Sequence, residues 1–171
     1  GPAACITAPT LSGLATRRFC FEAFLPVDKK ERQAVLEELK NETRTIILYE
    51  APHRMVKTLK ELEAVLGNRK MTLVRELTKR YETAFCTTIS DALKYYETEE
   101  VKGECVVVLE GRDRAELVEE AREQWKDMPL SEHMKHYESQ GIDRKEAMKL
   151  VAKDRGLSKR DIYKALLEEE T

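Results

Sequence analysis

The sequence lacks a long apolar segment and a secretion signal. None of its hydrophobic runs approaches the ~20 residues that a membrane-spanning helix requires. The opening segment, GPAACITAPTLSGL, has no basic region ahead of an apolar stretch, as a signal peptide would have. These absences argue against a membrane protein and a secreted protein, and we expect a cytoplasmic location.

The sequence also lacks the cysteine spacing of a metal or redox site. The four cysteines are Cys5, Cys20, Cys86 and Cys105, and they never occur as C-x-x-C. Three of them lie in apolar, strand-like or helix-like contexts. We therefore expect buried free thiols in a reducing compartment. His133 and His136 lie three residues apart on a predicted helix, but no acidic or thiol ligands accompany them, so no metal site is expected.

An excess of charge of one sign is absent as well. Charged residues make up 36% of the 171 residues, but the formal net charge is only −2. Any basic surface for nucleic acid must therefore be local. A hydrophobic content of 42% is enough for a buried core, in one domain or two.

The first part of the chain alternates strand-like and helix-like segments. Amphipathic helices are predicted from DKKERQAVLEELKNE, from MVKTLKELEAVLG, which ends at the C-cap Gly67, and from SDALKYYETEE, with Ser90 or Asp91 as N-cap. The predicted strands are residues 18–25, 43–50, 71–77, 81–89 and 103–111. The short separation of the third and fourth strands predicts a hairpin. The fold class is therefore α/β, a mixed five-stranded sheet flanked by helices.

The character of the chain changes after Gly111, because no further strand is predicted. We expect two domains, an α/β domain over 1–111 and a small all-helical extension over 112–171. The last two helices flank RGLSKR, with Gly156 as C-cap and Ser158 as N-cap, the outline of a helix-turn-helix. Basic residues crowd around it, and they fit either a solvated face or a phosphate-binding element: Lys149, Lys153, Arg155, Lys159, Arg160 and Lys164.

Ionisable side chains collect where two predicted strands end. IILYEAPHR leaves a strand at Tyr49 and Glu50 and enters a helix at Pro52, a residue suited to the first helical position. RELTK ends the next strand. Since ligands of α/β sheets bind beyond the carboxyl ends of strands, we expect 49–54 and 75–79 to converge on one edge and form half a pocket.

Four motifs, read together, resemble a known family. GPAACITAPTLSGLATRRFCFEAFLP, RTIILYEAPHR, VRELTKRYE and KGECVVVLEG are similar to the C-terminal half of the small-subunit ribosomal RNA 2′-O-ribose cytidine methyltransferases. These enzymes belong to the tetrapyrrole methylase superfamily, the class III S-adenosylmethionine (SAM) methyltransferases. The likeness covers nearly the whole chain, including GLSKRDIYKALLE. It implies that 1–111 is the C-terminal α/β subdomain of such an enzyme, the second domain of the tetrapyrrole methylase fold.

The resemblance also implies an activity and partners. The whole enzyme would methylate the ribose 2′-hydroxyl of a cytidine in the RNA of the small ribosomal subunit, with SAM bound between two domains. The glycine-rich SAM loop lies in the N-terminal domain, which this sequence lacks, so we expect the chain to be inactive alone. SAM carries its own electrophile, so no metal is required. The superfamily commonly forms homodimers, so a homodimer is expected.

The resemblance assigns residues to the cofactor and to RNA. The SAM-binding set is Gly1, Pro2, Ala3, Leu48, Tyr49, Leu109 and Gly111. The set facing the substrate or RNA is Glu50, His53, Arg54, Lys159 and Arg160. Two positions depart from the family pattern. Ala3 replaces the usual serine, and Pro9 interrupts a segment that is usually a continuous helix.

The catalytic candidates are Arg75, Glu76 and Lys79. A carboxylate between two cations has a lowered pKa and is a weak base, whereas Lys79 would stabilise a developing alkoxide. The sequence does not choose the base, and a structural ion-pair network explains the motif as well.

Simpler roles also remain open for the other candidates. Tyr49 fits a rim aromatic, Glu50 a helix-cap partner and Arg54 a surface ion pair, while Gly111 fits a plain turn. Two other functions remain open for the chain: a domain of a corrin or porphyrin methyltransferase, and a non-catalytic module for RNA binding or dimerisation.

Overall fold

A computed structural model describes residues 4–77, 79–80 and 82–169. The chain forms two compact units, Gly1–Asp113 and Arg114–Thr171. In the described part of the first unit the elements are α1 Ala4–Ser12, β1 Phe19–Phe24, α2 Lys29–Leu39, β2 Thr45–Glu50, a 3-10 turn Pro52–Arg54, α3 Met55–Leu66, β3 Lys70–Arg75, β4 Thr83–Thr88, α4 Ile89–Tyr95 and β5 Cys105–Leu109.

The five strands form one mixed sheet in the order β1-β2-β5-β3-β4. β1 runs parallel to β2, whereas β5 is antiparallel to both β2 and β3. β3 and β4 form an antiparallel hairpin. The predicted fold class is therefore confirmed, including the hairpin. Because β5 lies antiparallel between them, β2 and β3 point the same way and end at the same end of the sheet.

Alternating side chains of each strand build a core on both faces of the sheet. Ile46 and Leu48 of β2 pack with α2, α3 and α4 on one face, which we call the helix face. Ile47 packs with Ala8 of α1 on the other, the α1 face. All four side chains are almost fully buried, and this two-sided burial explains why β2 reads as a continuous apolar run.

The helix ends agree only in part with the predictions. α3 ends at Gly67, which has a φ of 78°, as predicted. The cap of α4 was predicted wrongly: Thr88, not Ser90 or Asp91, accepts the hydrogen bond from the Asp91 amide, so the helix begins at Ile89. α1 continues through Pro9, which is buried.

Gly111 lies where the chain leaves β5, and a close backbone approach explains why this residue is glycine. A Cβ built there would lie 2.3 Å from the carbonyl oxygen of Thr43. The next amide, Arg112 N–H, donates to the Glu42 carbonyl at 2.7 Å. Gly111 therefore permits contact between two backbone segments, a role that differs from the plain turn of the simpler interpretation.

The described part of the second unit is helical, with α5 Arg114–Glu123, α6 Leu130–Glu138, α7 Arg144–Arg155 and α8 Lys159–Glu169. Gly156 ends α7 in the left-handed conformation. The Ser158 hydroxyl accepts from the Asp161 amide at 3.1 Å and caps α8. Both predicted caps are confirmed. Side chains from α6, α7 and α8 share one core: Leu130, Met134, Ala147, Val151, Ala152, Ile162 and Leu166.

A polar cluster lies beside this core. The buried His133 accepts from Arg155 Nε through Nδ1 at 3.0 Å, and its Nε2 lies 3.1 Å from an Asp154 carboxylate oxygen. The Trp125 ring stacks on His133, with the ring centroids 3.9 Å apart. Burial lowers the pKa of His133 against the opposing effect of Asp154. The histidine is therefore a neutral structural group at pH 7.

Three further findings concern the described residues. No helix among them is long and apolar enough to cross a membrane. No three His, Cys, Asp or Glu side chains among them are grouped in a way that would hold a metal ion. All four cysteines are free, but only Cys105 is buried and Cys86 is exposed, so the expectation of buried thiols was too general.

Candidate functional site

The two segments rich in ionisable residues lie at the same end of the sheet. In the register, Glu50 of β2 and Arg75 of β3 both pair with Cys105, the first residue of β5. Phe24, at the end of β1, pairs with Tyr49. We call this the site end of the sheet. The convergence of 49–54 and 75–79 that the sequence predicts is therefore present, because β1, β2 and β3 all end there.

Strained backbone is also found at the site end. Ala23 has a φ of 50° and Glu76 a φ of 51°, and they are the non-glycine residues with positive φ in the described chain. Such conformations cost about 1–3 kcal/mol each and cluster at functional sites. Ala23 lies beside the last residue of β1, and Glu76 directly follows β3. Their common location makes this end the candidate site.

Glu76 is held by the start of β5. Its Oε1 accepts the Glu104 amide at 2.9 Å, and its own amide donates to the Glu104 carbonyl at 3.0 Å. Its carboxylate lies against Gly103, where an added Cβ would be 2.2 Å from Oε1. Gly103 has a φ of 79°, so glycine is required for its conformation as well as for space. The Glu76 carboxylate is thus fixed in place.

Lys79 completes this cluster. Its ammonium lies 3.2 Å from Glu76 Oε2 and 3.1 Å from Glu104 Oε2. The Glu104 amide and Lys79 lower the pKa of Glu76, and the two carboxylates raise the pKa of Lys79. At neutral pH Glu76 is therefore ionised and a weak base, while Lys79 is protonated and half-exposed. Arg75 donates to Thr83 Oγ1 at 3.2 Å across the hairpin.

Glu50 belongs to a buried hydrogen-bond network on the helix face. Its Oε2 accepts from the Thr58 hydroxyl at 2.6 Å, and its Oε1 accepts the Ala51 amide at 2.8 Å. Thr58 in turn accepts from Arg32 at 2.7 Å, and Arg32 also pairs with Glu61 at 2.6 Å. This network links the end of β2 to α2 and α3.

This geometry corrects the assignment of Glu50 to RNA. The residue is only 4% exposed and both carboxylate oxygens have partners within the chain, so no direct contact with RNA is available to it. Arg54 Nε lies 3.9 Å from Glu50 Oε1, and His53 is exposed beside it. Glu50 therefore positions the turn that presents these two residues, but it does not cap a helix, because neither the 3-10 turn nor α3 has a side-chain cap hydrogen bond.

Tyr49 points to the α1 face and is half-buried. Its ring makes edge-to-face contacts with Phe21 and Phe24, with centroids 5.1 Å and 5.6 Å apart. Burial is the main cause that raises the pKa of its phenol. Leu48, the preceding residue, is fully buried on the helix face, so its side chain is part of the core.

Not all the predicted cofactor residues come together. Leu109 pairs with Ile46 and Met71, so Leu109 and Gly111 lie at the opposite end of the sheet from Tyr49. The reason is that β5 runs antiparallel to β2 and β3, and its first residue is the one at the site end. These two residues therefore do not lie beside Tyr49. Gly1, Pro2 and Ala3 lie outside the described residues.

Lys159 and Arg160 lie in the helical unit, in the first turn of α8, and both are exposed. Their side chains are accessible for a contact with phosphate.

Sequence reasoning missed Arg32, Thr58, Gly103 and Glu104. Arg32 occupies the apolar stripe of α2, four residues before Leu36, and Leu39 follows in the same stripe. Thr58 likewise lies in the buried stripe of α3. A polar residue at a stripe position was a visible signal of a buried partner. Gly103 and Glu104 gave no comparable signal, because their role depends on strand order.

The chain matches a known family and several curated proteins. The profile of the Tetrapyrrole (Corrin/Porphyrin) Methylases matches residues 1–93. Proteins named ribosomal RNA small subunit methyltransferase I are 41% identical over 96% of the chain in Bacillus subtilis (strain 168), 38% over 98% in Synechocystis sp. and 36% over 99% in Escherichia coli O157:H7. The chain spans 56%, 59% and 58% of these relatives, little more than half of their length.

Two solved structures align with part of the chain. The methyltransferase CobJ aligns with 64% of this chain and 47% of its own, at 15% identity and a TM-score of 0.49. The cobalt precorrin-4 methyltransferase CbiF aligns with 63% of this chain and 48% of its own, at 18% identity and a TM-score of 0.45. Because the family profile matches more than half of the residues of this chain, the chain belongs to the tetrapyrrole (corrin/porphyrin) methylase family.

Proposed function

We propose that this chain is the C-terminal part of a SAM-dependent methyltransferase that acts on the ribose 2′-hydroxyl of a cytidine in small-subunit ribosomal RNA. Residues 1–111 would be its second α/β domain and 112–171 a helical extension. The observation that carries the proposal is the convergence of 49–54 and 75–79 at the site end, in a chain whose relatives are named ribosomal RNA small subunit methyltransferase I.

The proposed chemistry would be an in-line transfer of the methyl group from SAM to the ribose oxygen, with S-adenosylhomocysteine as the leaving group and the hydroxyl proton released to solvent water. SAM supplies the electrophile, so the protein's residues position the hydroxyl and stabilise the charge that develops on it. Lys79 suits this second task, because its ammonium is protonated, half-exposed and held between Glu76 and Glu104. Glu76 then positions Lys79, since its lowered pKa makes it a poor proton acceptor.

The proposed RNA contacts are of two kinds. His53 and Arg54 would meet phosphate at the site end, where the buried Glu50 fixes their turn. Lys159 and Arg160 would meet phosphate from the helical unit. Lysine and arginine contacts with phosphate contribute to affinity without reading sequence, and their contribution falls as salt rises. A homodimer remains a prediction.

The experiment is mass-spectrometric mapping of ribose methylation in small-subunit ribosomal RNA. A strain lacking the whole gene is complemented with the wild-type gene, with Lys79→Met, or with Lys126→Met. Lys126 is a matched control, because its ammonium also pairs with a carboxylate three residues away, Glu123, on an exposed surface. We expect one cytidine 2′-O-methyl group to disappear on deletion and to return with wild type and the control only. Unchanged ribosomal RNA after deletion would refute the proposal.

The same proposal predicts the behaviour of this chain in isolation. Without the domain that carries the glycine-rich loop, isothermal titration with SAM should show weak binding or none. Tight binding of SAM by residues 1–171 would contradict the proposed division of the cofactor site between two domains. Binding of a corrin by the whole protein would instead favour a small tetrapyrrole as substrate.

A further inference from the structure

β1 contains a bulge that changes which side chains share a face. The register with β2 shifts between Phe21 and Ala23: Phe21 pairs with Ile47, and Phe24 pairs with Tyr49. Residues three apart on a regular strand point to opposite faces. Because the bulge adds one residue, and Ala23 takes a positive φ there, Phe21 and Phe24 point to the same face.

The result is a group of three aromatic rings at the site end. Tyr49 lies between Phe21 and Phe24 and meets each edge-on, at interplanar angles of 67° and 65°. Phe21 is 43% exposed and Phe24 is 62% exposed. Neither phenylalanine stacks face to face with Tyr49, and both rings remain partly exposed. We call Phe21, Phe24 and Tyr49 the aromatic platform.

We propose that the aromatic platform binds an unstacked base of the RNA substrate. This inference rests on the proposed function and adds the residues that hold the nucleotide. Proteins recognise unpaired RNA by stacking bases on exposed aromatic rings, with cations nearby for the backbone. This arrangement explains the strained backbone at Ala23, because the strained residue is the one that brings Phe24 beside Tyr49.

The charge around the platform favours RNA over an apolar protein partner. His53 is exposed and Arg54 is half-exposed, and both follow Tyr49 within five residues of chain. Lys79 lies at the same end of the sheet. A nucleotide uses both features, its base on the rings and its phosphate near the cations. A purely apolar partner would bury the charged Arg54 and Lys79 without offering them hydrogen bonds of its own.

The test compares the binding of a single-stranded RNA by wild-type chain and by leucine variants. The probe is a fluorescein-labelled 12-nucleotide RNA rich in cytidine, titrated by fluorescence anisotropy at one fixed salt concentration. The double variant Phe21→Leu/Phe24→Leu keeps the apolar surface but removes the rings. We expect it to bind about tenfold more weakly, the loss typical of one stacked base. Phe24→Trp should bind at least as tightly as wild type.

Val27→Ala is the control, because Val27 is an exposed apolar residue of the next loop without a ring. It should bind RNA like wild type. Equal RNA affinity of the leucine double variant and wild type would overturn the platform while leaving the proposed function intact. If SAM or adenosine, but not the RNA, shifts the ring signals of Phe24 in NMR spectra, the platform belongs to the cofactor and the inference is also overturned. Failure of the proposed function is separate and is seen in the methylation map.

Discussion

The buried network around Glu50 leads to a prediction that the structure makes quantitative. Thr58→Val is nearly isosteric, but it removes the hydroxyl that donates to Glu50 and accepts from Arg32. Hydrogen bonds to charged groups contribute about 1.5–3 kcal/mol each, and the added methyl group recovers under 1 kcal/mol. We expect the first unit to lose about 3 kcal/mol, which lowers its melting temperature by roughly 10 °C.

The assay is urea unfolding followed by resolved NMR amide signals of β2 and α3, which report on the first unit alone. Thr58→Ser is the matched control, because it keeps the hydroxyl and loses one methyl group, about 1 kcal/mol. In a Glu50→Gln background Thr58→Val should cost clearly less, since no buried carboxylate then loses its donor. A loss below about 0.5 kcal/mol for Thr58→Val would refute the view that Glu50 has a structural, positioning role.

Three further predictions concern other parts of the chain. Gly111→Ala should lower the free energy of unfolding by at least about 2 kcal/mol, because its Cβ would clash with the backbone of Thr43. Gly67→Ala would be strained by its positive φ but has open space, so it should cost about 1 kcal/mol; urea titration of both variants tests this. Hydrogen bonding by Arg44 lowers the pKa of Glu42 to about 2. Glu42→Gln should therefore be less stable than wild type above pH 4.5, and the two stabilities should become equal as the pH falls towards 2; melting curves at a series of pH values test this. The helical unit should lose stability as the pH falls below 6.5, because the unfolded chain then binds a proton at His133 that the folded, neutral histidine does not bind. Fluorescence of the stacked Trp125 follows this loss, and a His133→Gln variant that keeps the same pH dependence would contradict it.

The strands were predictable because their apolar runs are local signals. The β2 segment with Ile46, Ile47 and Leu48 could only be a buried strand, and the short link between β3 and β4 indicated a hairpin. With both strands ending in ionisable residues, their convergence followed from the usual geometry of α/β sheets.

The missed features depend on contacts that are distant in sequence. Glu50 was assigned to RNA because its partners lie far away in the chain, and nothing near it shows that Arg32 and Thr58 surround its carboxylate. Leu109 was grouped with Tyr49 in the cofactor set because of the family resemblance, without knowledge of the strand order. Because β5 runs antiparallel between β2 and β3, Leu109 lies at the other end of the sheet from Tyr49. The order and direction of strands cannot be predicted from a local sequence pattern.

The bulge in β1 was missed for a related reason. FCFEAF contains no glycine or proline that would indicate a bulge, and a regular strand would place Phe21 and Phe24 on opposite faces. Ala23 has a positive φ although it is not a glycine, and no residue type in this segment predicts that conformation. Such a departure from local pattern is expected at functional sites, where strain is tolerated.

The most direct test of the candidate site is to locate the cofactor on the chain. The whole protein is irradiated with ultraviolet light in the presence of radiolabelled SAM, and the labelled peptides are identified by mass spectrometry. Our account predicts label on the peptides that contain residues 49–54 or 75–80, and its loss when excess unlabelled SAM is added. Label on the peptide that contains Leu109 and Gly111, with none on those two segments, would contradict it.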